Sequence, residues 1–190
     1  MAVQAQAQAQ PPRHRFTKDD YHRMGEVGIL GEDDRVELID GEIIDMPPIG
    51  DEHVGGVNSL TDLLVRLVGQ EAVVSVQNPV RLPGDSEPQP DFALIRRGTY
   101  RRGVPAAADV QLIIEVSDTT LAYDRNRKVP LYAAAGIPEV WIVDVAGGAI
   151  ERYTEPREGA YGSTFRAHRG QTIASTVLPN LVLPVDTVLG

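Results

Sequence analysis

Two acidic residues and one lysine have the types and the spacing of a site that cleaves phosphodiester bonds. Asp91 stands at the start of one expected strand, and Glu115 lies within the next, in the run Asp109–Ser117. Lys128 follows, and it is one of only two lysines in a chain that has sixteen arginines. The exception is informative because the compact ammonium of lysine can lose its proton, whereas the guanidinium of arginine stays charged.

Hydrolysis of a phosphodiester requires an activated water, a neutralised phosphate and a stabilised leaving oxygen. Mg²⁺ supplies all three, and it prefers carboxylate oxygens and water in octahedral geometry. Asp91, Glu115 and the main-chain carbonyl of Val116 would provide half of such a shell. The amine of Lys128 could orient the attacking water or help to remove its proton. We therefore expect a metal site at these residues, with Mg²⁺ or Mn²⁺ as the cofactor.

The composition limits the classes of protein to which the chain can belong. With 190 residues the chain can form one domain with a sizeable core. It has no cysteine, which excludes disulfides and thiolate sites and fits a reducing cytoplasm. No signal peptide or membrane-spanning run is apparent, so we expect a cytoplasmic protein without membrane contact. The net charge of -9 means that any nucleic-acid binding must depend on local basic patches or on a metal.

Turn and capping residues divide the chain into elements. The Ala-Gln repeat predicts a disordered tail over residues 1–15, followed by a single domain over residues 16–190. Asp40-Gly41 predicts a type I′ hairpin turn, and Asp51 is expected to cap a helix. The expected elements are, in order, a helix with Thr17 as its N-cap, Asp20 three residues later and an end at about Val27, a hairpin over Arg35–Met46, a helix from about Glu52 to Val68, strands at Ala72–Gln77, Asp91–Arg96 and Val110–Val116, a helix over Asp124–Ala135 that begins just before Pro130 or is kinked there, a strand at Val140–Asp144, a hairpin reaching Phe165, and short strands between Thr172 and Leu189. This order predicts an α/β fold of the α+β type, with a mixed central sheet flanked by helices.

Four runs of residues resemble the Uma2 family, which is itself similar to the restriction endonucleases of the PD-(D/E)xK superfamily. The runs are Pro90-Asp91, Ile114–Ser117, Asp124–Tyr132 and Gly136–Asp144. The resemblance begins at Val36–Glu42 and continues to the terminal Leu-Pro segments. It implies a restriction-endonuclease-like sheet with extra antiparallel hairpins, and a nuclease activity that depends on a divalent metal.

The resemblance also implies roles for individual residues. Asp91 and Glu115 match the metal-binding acids of the family. Lys128 matches a lysine that has moved from the strand to the following helix. Glu37 matches an acidic residue on the first hairpin, a further ligand for the metal or for water, and His53 matches a histidine that assists at the rim of the site.

One position departs from the wider superfamily. Ser117 stands two residues after Glu115, where the superfamily usually has a lysine. Residues i and i+2 of a strand share a face, so that lysine would lie beside the metal. Here Lys128 must reach the same place from the helix. Tyr132, on the same helix face as Lys128, is expected to pack in the core and could brace the lysine.

Each candidate also has an ordinary structural interpretation. Asp91 could cap a turn, Glu115 could form a buried ion pair with an arginine, and Lys128 could be a solvated helix residue. Glu37 could pair across its hairpin, and His53 could lie on the surface at a helix start.

Five arginines are candidates for contact with a phosphate backbone, although a solubilising role is the alternative for the loop that holds most of them. They are Arg96, Arg97, Arg101, Arg102 and Arg125.

Three functions follow from these patterns. The first is a Mg²⁺-dependent endonuclease, for which DNA is the expected substrate and RNA stays open. The second is a nuclease-like domain without catalysis that binds nucleic acid or protein, as the acidic net charge and Ser117 suggest. The third, a small-molecule enzyme built on the same acids, has no supporting pattern. A homodimer is expected because strands after Trp141 could pair edge to edge.

Overall fold

The computed structural model describes residues 13–31, 33–48, 50–98 and 103–190. Most of the expected tail, residues 1–12, lies outside this description. The helices are Lys18–Glu26 (α1), Asp51–Val68 (α2), Leu121–Tyr123 (α3), Val129–Ala134 (α4) and Val185–Leu189 (α5). The strands are Val36–Ile39 (β1), Glu42–Asp45 (β2), Ala72–Val76 (β3), Phe92–Arg96 (β4), Val110–Ser117 (β5), Glu139–Asp144 (β6), Ala149–Arg157 (β7), Ala160–His168 (β8), Thr172–Ala174 (β9) and Val182–Pro184 (β10). None of the helices within the described ranges is long and apolar enough to traverse a lipid bilayer.

A six-stranded sheet with the order β3-β4-β5-β6-β7-β8 forms the centre of the fold. The pair β5–β6 is parallel, whereas the other neighbouring strands are antiparallel. A parallel pair needs a crossover connection, which here contains α3, a π-helical turn at Asp124–Lys128, and α4. The expected mixed sheet flanked by helices is confirmed.

Strand β5 is covered on both faces, as its continuous apolar run predicts. Leu112 and Ile114 pack into one core cluster with α2, α5 and the C-terminal strands. Ile113, between them, packs into a second cluster with α4. The strand that carries Glu115 is therefore held from both sides.

Two local signals in the sequence shape the N-terminal segment, one at the start of α1 and one in the turn of the first hairpin. Thr17 and Asp20 form a reciprocal capping box at the start of α1. Asp40 and Gly41 have φ values of 49° and 75°, which suits the predicted type I′ turn. A Cβ at Gly41 would lie 2.9 Å from the main-chain oxygen of Phe16, so this position requires glycine. The hairpin holds β1, and with it Glu37, against the rest of the domain.

Helix α2 begins one residue earlier than expected. Asp51 is its first residue and not its cap, because Gly50 takes the extended N-cap conformation and no side chain caps the helix. Val57, Leu60 and Leu64 are buried on its inner face, and Leu67 is partly buried beside them.

The predicted helix over Asp124–Ala135 is wrong in its start, and it is irregular just before Pro130. The helical segment begins at Leu121, and its middle is a π-helical turn in which the amide of Val129 donates to the carbonyl of Asp124. Pro130, which has no amide hydrogen, follows this turn directly. Proline disfavours an uninterrupted α-helix before it, and an inserted residue absorbs the conflict.

The C-terminal half contains a longer hairpin and an additional helix. The β7–β8 hairpin extends to His168, beyond the expected end at Phe165, and α5 was not predicted. The hairpin turn has positive φ at Glu158 (45°) and Gly159 (83°). Since Glu139, the first residue of β6, pairs with Thr154, this turn projects beyond the end of the sheet opposite to Asp144.

Candidate active site

One cavity at the end of the sheet collects the predicted site residues. It has about 900 Å³ of empty space, part of it open to solvent. Its lining includes Glu37, His53, Asp91, Glu115, Val116 and Lys128. These residues come from the first hairpin, α2, the start of β4, the end of β5 and the π-helical turn, so separate elements converge on one place.

Asp91 and Glu115 are adjacent because β4 and β5 are antiparallel, with Phe92 opposite Ile114. The amide of Val116 donates to Oδ2 of Asp91 at 2.8 Å. The amide of Asp91 in turn lies 3.4 Å from Oε2 of Glu115, a long hydrogen bond. Asp91 is therefore more than a local turn cap, since its carboxylate is directed at the neighbouring strand by that strand's main chain.

The amine of Lys128 contacts two acidic side chains, Glu115 and Glu37. Its Nζ lies 3.3 Å from Oε1 of Glu115 and 3.2 Å from Oε2 of Glu37. Only 6% of the residue is exposed, so it is not a solvated helix residue. Burial alone would lower the pKa of Lys128, but the charges of Glu115 and Glu37 outweigh it and raise the pKa above its usual value. The amine is held as an ammonium.

Glu115 is fully enclosed, and its partner is a lysine and not an arginine. Burial raises the pKa of Glu115 to about 8, although Lys128 and a hydrogen bond from Tyr132 oppose this shift. The hydroxyl of Tyr132 donates to Oε1 at 2.6 Å. Tyr132 is a core residue, as expected, but it supports the acid directly and does not brace the lysine.

Glu37 points into the cavity and does not pair across its hairpin, where its partner is Ile44. Its Oε2 accepts a hydrogen bond from the amide of Gln89 at 3.1 Å, and its Oε1 accepts one from the hydroxyl of Tyr123 at 3.3 Å. The carboxylate is thus fixed from two further segments while it contacts Lys128.

His53 is tied to Asp91 and does not lie free on the surface. Its Nε2 is 3.0 Å from Oδ1 of Asp91. The hydrogen bond to Asp91 raises the pKa of His53, and a main-chain hydrogen bond with Val116 acts in the same direction against the effect of burial. The imidazole therefore contacts two of the expected metal-binding residues.

Supporting residues of the site were not found from the sequence. Gln77 has a positive φ of 49° and places its side-chain amide 3.4 Å from Oδ1 of Asp91. The side chain of Gln89 donates to the main-chain oxygen of Gln77 at 2.5 Å. Such polar residues carry no local signal of function, and only their contacts in the folded chain identify them.

Two of the five candidate arginines, Arg97 and Arg125, have hydrogen-bond partners within the protein. The Nε of Arg125 donates to Oε2 of Glu151 at 2.9 Å, and its guanidinium also approaches Asp144 at 3.4 Å. This side chain neutralises buried acids, so it is engaged inside the protein and poorly placed for nucleic acid. Arg97 donates to the carbonyls of Gly69 and Gln70.

Of the other candidate arginines, Arg96 is exposed at the end of β4. Arg101 and Arg102 lie outside the described residues, so their expected contact with a phosphate backbone stays a prediction.

The oxygen donors suit a hard cation that keeps some of its own water. In the described part of the chain, no three or more His, Asp or Glu side chains converge closely enough to hold a metal ion together. The nearest donors are the carboxylates of Asp91 and Glu115, which main-chain amides of the two strands link, and the carbonyl of Val116, the residue after Glu115. Mg²⁺ is commonly bound in this way, by one or two carboxylates completed by water and substrate phosphate.

Comparison with known proteins agrees with the fold and identifies the family. The Uma2 family model, described as "Putative restriction endonuclease", matches residues 19–186. The fold is similar to the crystal structure of a "putative nuclease belonging to DUF820" from Anabaena variabilis ATCC 29413, with a TM-score of 0.70, 14% identity, and coverage of 92% of this chain and 97% of that chain. No curated protein is significantly similar to this sequence. Because the family model covers most of its length, the chain belongs to the Uma2 family.

Proposed function

We propose that this protein is an endonuclease that hydrolyses phosphodiester bonds of DNA with the help of Mg²⁺ or Mn²⁺. The observation that carries the proposal is the convergence of Asp91, Glu115 and Lys128 in one cavity, with Lys128 Nζ 3.3 Å from Glu115. The family description supports a nuclease. The metal and the DNA substrate are inferences from the chemistry of the donors.

The metal would be held by Asp91, Glu115 and the carbonyl of Val116. When bound, such a cation neutralises the phosphate and lowers the pKa of a coordinated water. The hydrogen bond from the Val116 amide keeps one oxygen of Asp91 directed at the neighbouring strand, and Tyr132 fixes one oxygen of Glu115. The carboxylates are thus held in place before any cation arrives.

Lys128 acts as a charged hydrogen-bond donor in this proposal. Since its two carboxylate neighbours raise its pKa, it is poorly suited to remove a proton and well suited to orient water or a phosphate oxygen. We assign Glu37 to holding the lysine, because it contacts Lys128 and not the pair of metal-binding acids. His53 orients Asp91 through its Nε2 contact.

The charge of the cavity supports metal dependence. Two of its lining residues, Arg35 and Lys128, are firmly cationic. The acidic lining residues are Glu37, Asp45, Asp91, Glu115, Asp118 and Asp124. A polyanion would be repelled from this surface unless a cation neutralised part of it.

A non-catalytic interaction module is the second candidate, and the net charge of -9 favours it. Such a module has no need of a buried ammonium beside two paired acids. The two candidates differ in metal-dependent cleavage, which only the first predicts.

The proposal is tested by incubating the purified protein with plasmid DNA and with RNA of matched length, in Mg²⁺, in Mn²⁺ and in EDTA. The key variant is Asp91→Asn, and the matched control is Asp62→Asn, an exposed acid on α2 that pairs with Arg66. We expect metal-dependent cleavage of DNA by the wild type and by the control. The cleavage rate of Asp91→Asn should fall by more than about 100-fold, because changing a residue that only supports a metal ligand already lowers activity about 10- to 100-fold.

Three outcomes would count against the proposal. Cleavage in EDTA, or cleavage that survives Asp91→Asn, would remove this site from the reaction. Cleavage of RNA alone would change the substrate.

We also infer a cytoplasmic homodimer. The absence of cysteine fits a reducing compartment, and β8 is an edge strand of the central sheet that can pair with a second copy. Sedimentation equilibrium of the wild type and of Thr164→Pro, which places a proline in β8, tests the dimer: a monomeric wild type would contradict it.

A further inference from the structure

Ser117 occupies the strand position where a lysine would be expected beside Glu115, and its hydroxyl has a definite partner. The residue is completely buried at the end of β5. Its Oγ donates to Oδ2 of Asp124 at 2.7 Å, and Oγ1 of Thr120 donates to the same oxygen at 2.6 Å. Asp124 is itself only 4% exposed, so two hydroxyls supply hydrogen bonds that its buried side chain would otherwise take from water.

Asp124 is also the first residue of the π-helical turn, and its main chain is fixed at both polar groups. Its amide donates to the carbonyl of Thr120 at 2.9 Å. Its carbonyl accepts from the amide of Val129, which closes the turn. Lys128 is the last residue of that turn. The side chain and the main chain of Asp124 together decide where the turn starts, and the start decides where Lys128 points.

We infer that Ser117 is a positioning residue for Lys128, because its hydroxyl fixes Asp124 and with it the register of the π-helical turn that directs the amine at Glu115. The catalytic consequence rests on the function proposed above, whereas the structural link does not. A lysine at position 117 would remove the hydroxyl that Asp124 requires. The strand lysine and the helix lysine are thus alternative solutions, and this chain has the second.

Other contacts hold the outer side of the same turn. Arg125 pairs with Glu151, and Arg127 pairs with Asp40 at 3.1 Å. Both arginines are partly exposed, with side chains 33% and 38% accessible. The pair of Arg127 with Asp40 is exposed on both sides and contributes little to fixing a geometry. Arg125 is anchored to the buried Glu151, but this bond holds the side chain of the second residue of the turn, whereas the link from Ser117 holds its first residue.

The small number of lysines provides a direct test. In protein labelled with ¹³C at the lysine ε-carbons, the two lysines give two side-chain signals, and Lys128→Met identifies one of them. We expect Ser117→Ala to shift or broaden the Lys128 signal and to leave the Lys18 signal in place. Ser163→Ala, an exposed serine on β8, is the matched control and should move neither. An unchanged Lys128 signal in Ser117→Ala would overturn the inference.

Kinetics add a second, independent measurement. Ser117→Ala should lower kcat about tenfold, the scale of one hydrogen bond to a charged group, and should leave KM unchanged. In the Lys128→Met background the same change should cost nothing further, whereas additive losses would show that Ser117 acts elsewhere.

The positioning role of Ser117 can still be tested if the wild type is inactive or if Ser117→Ala does not fold. If the wild type does not cleave at all, the proposed function fails and the lysine signals still decide the structural link. If Ser117→Ala does not fold, Thr120→Val removes the second hydroxyl on Asp124 and is expected to move the same Lys128 signal.

Discussion

The ammonium of Lys128 and the carboxylate of Glu115 lie 3.3 Å apart inside the protein, and Glu37 closes the other side of the amine at 3.2 Å. A lone buried ammonium would tend to lose its proton, whereas the charge of Glu115 once it is ionised, together with that of Glu37, favours the protonated amine. The geometry therefore separates two tasks: the acids hold a cation, and the lysine contributes a fixed positive charge next to it.

Replacing this charge should abolish turnover without abolishing metal binding. For Lys128→Met, which keeps an unbranched side chain, we expect a loss of about 10²- to 10³-fold in single-turnover rate, the usual cost of removing one preorganised hydrogen-bond donor from a reacting group. The Mg²⁺-induced rise in melting temperature should persist, because Asp91 and Glu115 remain. Lys128→Arg serves as the control for charge. Full activity in Lys128→Met would exclude a catalytic role for the amine.

Metal binding should stabilise the folded chain through Glu115. A ligand that binds only the folded state at about 100 times its Kd adds about 2.7 kcal/mol to the free energy of unfolding. Thermal unfolding with increasing Mg²⁺ should show this shift in the wild type and lose it in Glu115→Gln. The exposed Glu26→Gln on α1 is the matched control. An equal shift in Glu115→Gln would place the metal elsewhere.

The pH dependence of stability should report the raised pKa of Glu115 in metal-free protein. The folded-state pKa is raised from 4.5 to about 8, so the folded state holds this proton more tightly than the unfolded state. Its contribution to stability is full below pH 4.5 and is lost as the pH rises toward 8. Urea unfolding in EDTA between pH 5 and 9 should show a steeper decline for the wild type than for Glu115→Gln. An equal decline of stability with pH in the wild type and in Glu115→Gln would contradict the raised pKa of Glu115.

Arg125 should matter for stability and not for nucleic-acid affinity. Arg125→Ala removes one of two arginines that neutralise Glu151 and Asp144, and Arg166 still pairs with both. We expect a loss of about 1–3 kcal/mol in the free energy of unfolding, less than for a buried pair left with no partner. The salt dependence of DNA binding should stay unchanged, whereas Arg96→Ala should reduce its slope by about one if Arg96 contacts a phosphate. Unchanged stability together with a reduced salt dependence in Arg125→Ala would instead identify Arg125 as a DNA contact.

Local patterns predicted those parts of the fold whose cause is local. The capping box of Thr17 and Asp20, the turn at Asp40-Gly41 and the doubly covered strand β5 each follow from a few neighbouring residues. The proximity of Asp91 and Glu115 could also be predicted from the sequence, since both lie at ends of adjacent strands.

The remainder of the site arises from contacts between distant segments. Tyr132 donates to Glu115 across 17 residues, because the crossover that contains the π-helical turn and α4 packs back onto β5. Arg125 looked free for phosphate because its partners are on β6 and β7, which the chain reaches later. No periodicity or capping rule encodes such pairings.

The Glu158–Gly159 turn joins two nine-residue strands, β7 and β8, and lies at the end of their hairpin away from the cavity. At about 3.3 Å per residue, the tip is roughly 25–30 Å from the sheet end where the acids meet. A fluorescent reporter or a targeting domain inserted there would leave the cavity open and the first hairpin untouched. The turn is therefore the natural attachment point for building a programmable cutter or a single-molecule probe from this scaffold.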